Sequence, residues 1–191
     1  MILLGIDPAI ANTGVAVINL DKEVQVIHLG VIKTSKDDHE GSDLEGFPHT
    51  YRARDIVSKL YDTISYYCPE YICVEVPGGT QSASAAMGSG VTNGICGWLA
   101  KEYPTRFLPT KPLHVKWDTI GKQAAKGATG KAGKDLMINW ATNLYPEAPW
   151  PRRNGNGPIV KGKAEHLADA IAIIYSSLTR HGKSNILKEL R

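Results

Sequence analysis

Three carboxylates interrupt apolar surroundings in this 191-residue chain. Asp7 follows the run MILLGI, Glu75 closes YICVE, and Asp169 lies between Ala168 and Ala170 in EHLADAIAIIY. A charge in such a setting gives up hydration, so buried carboxylates are normally paired or bound to a metal. Taken singly, each acid reads equally as a cap or as half of an ion pair. Three of them in matching contexts point to a shared duty, the holding of a hard cation. Oxygen donors with at most one imidazole suit Mg²⁺ or Mn²⁺ better than zinc, whose structural sites favour thiolate and histidine. Glu165, His166 and Asp169 fall within an arc of about 100° on one helix, so that helix can offer two or three ligands, one of them an imidazole. Cys68, Cys73 and Cys96 are odd in number and contain no C-x-x-C pair, which predicts reduced, buried thiols rather than a zinc site or a disulfide.

The hydrophobic pattern predicts the elements that must carry these residues. MILLGI and GVAVINL flank the turn DPAIANT and predict a hairpin, VQVIHLGVIKT continues it as a third strand, and the acidic KDDHEGSDLEGFPHT follows as a loop. Ile56, Val57, Leu60, Ile64 and Tyr67 recur at helical spacing up to Pro69. YICVEVP then predicts a buried strand halted by Pro77, Gly78 and Gly79. A helix is expected from Ala83 to Lys101 with Gly90, Gly94 and Gly97 along one stripe. Each glycine there costs up to about 1 kcal/mol against alanine, so close packing on the sheet or on a twin helix is the expected compensation. TRFLPT predicts a short strand, a helix starts near Pro112, a Gly- and Lys-rich loop leads to the helix KDLMINWATNLY, and after a Pro/Arg/Gly/Asn loop the last helix is KAEHLADAIAIIYSSL. In that helix Leu167, Ile171, Ile174 and Leu178 form the core-facing stripe. This order predicts one α/β domain over residues 1–191 that mixes an antiparallel meander with parallel crossovers.

Charge is divided unevenly along the chain. Residues 1–100 hold 6 Lys and Arg against 12 Asp and Glu, and residues 101–191 hold 16 against 7. The basic excess concentrates in KPLHVKWDTIGKQAAKGATGKAGK, where Asp118 is the one acid, and in PRRNGNGPIVKGK. Lys116, Lys122, Lys126, Lys131, Lys134, Arg152 and Arg153 make a stripe suited to a polyanion such as nucleic acid. No run approaches the roughly 18 apolar residues of a membrane span, and the N-terminus lacks a signal-peptide pattern, so a soluble, intracellular protein is expected. GPIVKGKA has the Gly and Lys of a phosphate-binding loop, but Ala164 stands where Ser or Thr must hold Mg²⁺ and no apolar strand precedes it.

ILLGIDPAIANTGVAVI, RARDIVSKLYDTISYYCPEYICVEVP and EHLADAIAIIY resemble, in order and spacing, the three acidic motifs of RuvC-type Holliday-junction resolvases, and the resemblance extends over nearly the whole chain. It implies the ribonuclease H-like fold, a five-stranded mixed sheet flanked by helices. It implies a metal-dependent endonuclease that resolves four-way DNA junctions by paired nicks with 5′-phosphate and 3′-hydroxyl ends. Two Mg²⁺ ions, replaceable by Mn²⁺, are then expected: Asp7 would bridge them, Glu75 and Asp169 would each complete a site, and His166 would ligate or orient water. Lys116 and Lys131 match lysines near the scissile phosphate and the junction backbone. The implied partners are branched DNA, a second copy docked through the Gly90, Gly94 and Gly97 helix, and branch-migration machinery, in a cytoplasmic, nucleoid-associated setting. The chain departs from the pattern at Pro77, Gly78 and Gly79, where bacterial members carry an aromatic, at Ala9 in place of a glycine, and in longer loops at Lys36–Thr50 and Pro151–Lys163. The sugar-kinase and Hsp70-like ATPases share the first hairpin but need two such domains. A non-catalytic junction-binding protein, a wider flap or fork nuclease and an RNA/DNA-hybrid nuclease all remain open on the sequence.

Overall fold

The computed structural model describes residues 1–21, 23–39, 47–79, 83–127 and 129–190. β1 (Ile2–Asp7), β2 (Asn12–Asn19) and β3 (Gln25–Lys33) form the antiparallel meander that their alternating aliphatic residues predict. α1 (Pro48–Tyr67) crosses over to β4 (Tyr71–Glu75), which pairs parallel with β1, and α2 (Ala83–Glu102) crosses to β5 (Phe107–Thr110), parallel with β4. The sheet order is β3-β2-β1-β4-β5, the expected five-stranded mixed sheet. α1 opens on a proline in its first turn and closes on Cys68 in the left-handed region at φ 46°.

Strand alternation divides the core between the two faces of this sheet. Leu4, Ile6, Val15, Val17, Ile72 and Val74 point toward α1 and α2, meeting Ile56, Leu60, Ile95 and Leu99. Leu3, Ala16, Ile18 and Cys73 point the other way, onto α6 (Lys161–Arg180). The expected stripe of Leu167, Ile171, Ile174 and Leu178 is buried, but so are Ala170, Ala172, Ile173 and Tyr175. α6 is therefore enclosed nearly all round, with the sheet beneath it and α3 (Pro112–Thr119), α5 (Gly130–Leu144) and α7 (Ser184–Glu189) around it. Tyr145 and Tyr175 share a hydroxyl hydrogen bond of 2.8 Å, and the Tyr175 hydroxyl donates to the Leu190 carbonyl at 2.6 Å, which closes α7 over this core.

Two glycines let α6 lie that close. A methyl group on Gly5 would overlap the Ala170 carbonyl, and one on Gly14 would overlap the carbonyl of His166. Gly14 pairs directly across from Asp7. The helix backbone thus rests on strand backbone beside the first of the three acids.

Some elements differ from the pattern-based reading. KQAAKG forms a short helix, α4 (Lys122–Gly127), inside the stretch read as a loop, because Gly121 and Gly130 at φ 85° and 52° supply the breaks on either side of good helix formers. α7 follows the helix expected to be last, since Ile186 and Leu190 find buried places against it. Cys68 is exposed, whereas Cys73 and Cys96 are buried as expected. In the acidic stretch, Lys36–His39 forms a 3-10 turn, and residues 40–46 lie outside the described residues. Of the two expected partners for Gly90, Gly94 and Gly97, the chain's own sheet is not one: these glycines are exposed, and a Cβ on any of them would meet nothing within 4 Å among the described residues.

These environments predict opposite responses to one added methyl. Gly14→Ala should lose about 2–3 kcal/mol of stability or more in urea unfolding, because neither backbone can retreat. Gly94→Ala should gain about 0.5–1 kcal/mol in the single chain, measured at concentrations too low for self-association, by removing the glycine penalty from a helix face that the chain leaves open. An unchanged urea midpoint for Gly14→Ala would contradict the close approach.

Candidate active site

β1 and β4 run in parallel register with Ile6 beside Val74, so the next residue of each strand, Asp7 and Glu75, ends it side by side. Ile6 and Val74 face α1 and α2, so the period of two turns Asp7 and Glu75 to the opposite face, the one α6 covers. α6 docks there on Gly5 and Gly14 and brings its second and third turns over the two strand ends. His166 Nδ1 comes within 3.1 Å of Asp7 Oδ2. Asp169, one turn further on, is half-buried.

The electrostatics show how tightly these groups interact. Burial, then the neighbouring charges of Asp7 and Asp169, pushes the Glu75 carboxyl up to about 8. Burial, then Asp7 and Glu165, pushes Asp169 up to about 7. Lys116 opposes both shifts, and His166 also opposes that of Asp169. His166 itself is held above the usual imidazole range, chiefly by its hydrogen bond to Asp7. The three motif acids therefore lie in one field and resist joint ionisation. Among the described residues no three His, Cys, Asp or Glu side chains stand in ligating positions around one point. The donor chemistry nevertheless fits a divalent cation: hard oxygens, desolvated, crowded with like charge and incompletely neutralised by one lysine and one imidazole.

The basic residues divide into near and far groups. Lys116, exposed on α3, is the lysine whose charge acts on both Glu75 and Asp169. Lys134 on α5 ion-pairs with Glu165 at 2.8 Å and lies in the field of Asp169. Lys131, one turn earlier and exposed, acts on Asp135, which is itself paired with Lys161 at 2.8 Å. Lys122 lies over the Trp117 ring at 5.2 Å, and Lys126 is exposed on α4. Arg152 and Arg153 are exposed on a loop pinned by a bridge between Arg152 and Ile159. A cleft of about 500 Å³ opens beside the acids, lined by Asp7, Ile10, Glu75, Gly78, Ser89 and Thr92. At the place of the expected aromatic its wall is the bare backbone of Gly78 and Gly79, and residues 80–82 lie outside the described residues.

Arg52 was not singled out by sequence reasoning, although it helps to shape this cleft. It is buried on α1, its Nε donates to Thr34 Oγ1 at 2.9 Å, and Thr34 Oγ1 in turn donates to the Ile10 carbonyl. The chain from α1 to the turn after Asp7 is thereby fixed. The available signal was its position four residues before Ile56, on the buried stripe of an amphipathic helix.

The raised carboxyls make metal-free stability depend on pH. Between about pH 4.5 and pH 8 the folded chain binds more protons than the unfolded one, so stability falls as pH rises through that window. Glu75→Gln should leave Tm near wild type at pH 5.5 and raise it at pH 8, at roughly 2–4 °C per kcal/mol relieved. Mg²⁺ should raise the wild-type Tm more at pH 8 than at pH 6 and should have a smaller effect on the variant. Differential scanning calorimetry with and without Mg²⁺ checks both, and a Tm that rises with pH in the metal-free wild type would contradict them.

Comparison with known proteins adds a lineage to this geometry. A family model described as "Crossover junction endodeoxyribonuclease RuvC" matches residues 3–145, a span that includes Asp7, Glu75 and Lys116 and ends before α6. The chain is 27% identical over 174 residues to the RuvC crossover junction endodeoxyribonuclease of Alkaliphilus metalliredigens, covering 91% of this chain and 90% of that protein. It is 24% identical over 151 residues to the one from Xanthomonas axonopodis pv. citri, covering 76% and 80%. Among solved structures, T. thermophilus RuvC in complex with Holliday junction substrate superposes with a TM-score of 0.63 at 22% identity, covering 95% of this chain and 97% of that one. The yeast mitochondrial Holliday junction resolvase gives 0.56 at 15% identity, covering 99% and 84%. At these identities the superpositions establish the fold.

Proposed function

The chain belongs to the RuvC family of crossover junction endodeoxyribonucleases, and from that premise we propose that it cuts four-way DNA junctions with an active site made of Asp7, Glu75, Asp169 and His166. The observation that carries this reading is the meeting of β1, β4 and α6, where Asp7 and Glu75 end adjacent strands, His166 of α6 comes within 3.1 Å of Asp7, and the charges of Asp7 and Asp169 both act on Glu75. Asp7, Glu75 and Asp169, with His166, would hold a pair of Mg²⁺ ions, with Mn²⁺ as substitute; such ions supply activated water and stabilise the leaving oxygen of a phosphodiester.

The protein's own groups account for the rest. The three carboxylates gather their charge in one place, and because burial disfavours ionising Glu75 and Asp169 together, a bound cation would draw both into the charged form. His166, fixed by Asp7 through Nδ1, presents its other ring nitrogen, Nε2, to ligand or water. Lys116 and Lys131 bring positive charge toward the phosphate being cut, and Lys134, ion-paired with Glu165 at 2.8 Å, serves the DNA backbone. Lys122, Lys126, Arg152 and Arg153 contact the phosphates of the junction arms. The open face of α2 along Gly90, Gly94 and Gly97 receives a second copy of the chain. A two-fold dimer then sets two such sites on opposing strands of a substrate with the same symmetry. The cuts leave 5′-phosphate and 3′-hydroxyl ends, and coupling to branch-migration machinery places the reaction among the last steps of DNA recombination.

Asp7→Asn should lower the rate of cutting of a synthetic four-way junction in Mg²⁺ by about 10³-fold or more while leaving junction binding within a few-fold. If the dimer contacts six to ten phosphates, affinity should fall by about 10³ to 10⁵ between 50 and 200 mM salt. Gel assays on junction, flap, fork, hybrid and linear duplex substrates read both. Undiminished cutting by the variant would remove Asp7 from the site, and tight binding without cutting by wild type in either Mg²⁺ or Mn²⁺ would favour an architectural protein.

A further inference from the structure

α3 is a short helix with a demanding position. It spans only Pro112–Thr119 and buries one residue, Val115. Its first residue, Pro112, lines the cleft together with Asp7 and Glu75, and one turn on it carries Lys116, whose charge acts on both Glu75 and Asp169. One buried valine gives little hold on the orientation of an eight-residue helix, since apolar burial is non-directional and fixes no rotation. The hold comes from Asp118, the one acid in the lysine-rich stretch. Arg180 on α6 donates to it through both Nε, at 2.8 Å to Oδ2, and a terminal nitrogen, at 2.6 Å to Oδ1. Ser176, one turn earlier on α6, donates to the same Oδ2 at 2.9 Å. Ser176 also shares a hydrogen bond of 2.8 Å with Thr110, and Thr110 is the β5 residue paired beside Glu75. The Asp118 side chain is only 10% exposed. A bidentate arginine–carboxylate pair in that setting has directional strength that an exposed ion pair lacks.

We propose that Asp118 is a positioning residue for cleavage: clamped by Arg180 and Ser176, it sets α3 on α6 and so aims Lys116 at the acidic site. The clamp ties together the three elements that the site needs at its Glu75 side. β5 enters through Thr110, α6 through Ser176 and Arg180, and α3 through Asp118. Lys116 lies two residues before Asp118, so a rotation of α3 that frees Asp118 also carries the ammonium group away. Neutralising Asp118 leaves Lys116 chemically intact but no longer directed. The proposal rests on the reading of Asp7, Glu75 and Asp169 as the nuclease site.

A double-mutant cycle tests it, with single-turnover cleavage of a four-way junction measured for wild type, Lys116→Ala, Asp118→Ala and the double variant, all well below their Tm. Displacing a charged group by about 1 Å costs on the order of 10²-fold in rate. Lys116→Ala and Asp118→Ala should therefore each slow cleavage by roughly 10- to 100-fold, with junction Kd within about three-fold. The double variant should be no slower than Lys116→Ala alone, because Asp118 has nothing left to aim. Should Asp118→Ala fold poorly, Asp118→Asn and Arg180→Gln weaken the same clamp and must show the same lack of additivity. Multiplied effects in the double variant, or full activity of Asp118→Ala beside a slow Lys116→Ala, would overturn the positioning role and leave the nuclease reading standing. No effect of Lys116→Ala would overturn it as well, and a wild type that cuts no junction would overturn the nuclease reading and the positioning role together.

Discussion

The contact on which this structure depends is backbone against backbone: the carbonyls of His166 and Ala170 rest on Gly14 and Gly5, where no side chain intervenes. Side chains ordinarily hold packed layers apart, by about 10 Å where sheet stacks on sheet. A helix held further off could not bring His166 Nδ1 to 3.1 Å from Asp7. The two glycines thus turn a general feature of α/β packing into a specific juxtaposition of strand ends and helix side chains. The enclosure of α6 by the sheet and by α3, α5 and α7 holds that juxtaposition, because from Ala170 to Leu178 every residue of the helix is buried.

The site built on this contact is costly in electrostatic terms. Burial, and the charges of the neighbouring acids after it, push the Glu75 and Asp169 carboxyls up to about 8 and 7, so the fold resists ionising both together. A protein selected for stability alone would pair or discard such groups. Here the compensation is partial: His166 answers Asp7, and Lys116 is held near the other two. The remaining negative charge has no partner among these side chains, and on the reading proposed above a divalent cation would satisfy it, so the arrangement that weakens the metal-free fold would favour the metal-bound one.

How much of this was legible in the sequence follows from which interactions leave a periodic trace. Asp7 and Glu75 could be placed because each ends an apolar strand, and the period of two decides which face it takes. The helix of His166 and Asp169 could be read from its apolar stripe, though not that it is buried almost all round, since alanine occurs on solvent faces too. The five-stranded mixed sheet follows from the order of elements. α4 and α7 were missed because six-residue helices carry too few turns to show a period. The clamp of Asp118 by Ser176 and Arg180 and the anchoring of Thr34 by Arg52 left no local sign, because each joins residues far apart in the chain. Lys131 and Lys134 occupy one turn of α5, and only its orientation against α6 decides that Lys134 meets Glu165.

The most direct test of the central claim, that Asp7, Glu75 and Asp169 form one cation site, is a crystal soaked in Mn²⁺ and measured for anomalous scattering. The expected map has its strongest peak at the meeting of β1, β4 and α6, within roughly 2.5 Å of oxygens from these three residues. A strong peak elsewhere, or none at millimolar Mn²⁺ with Asp7 still bonded to His166, would contradict it.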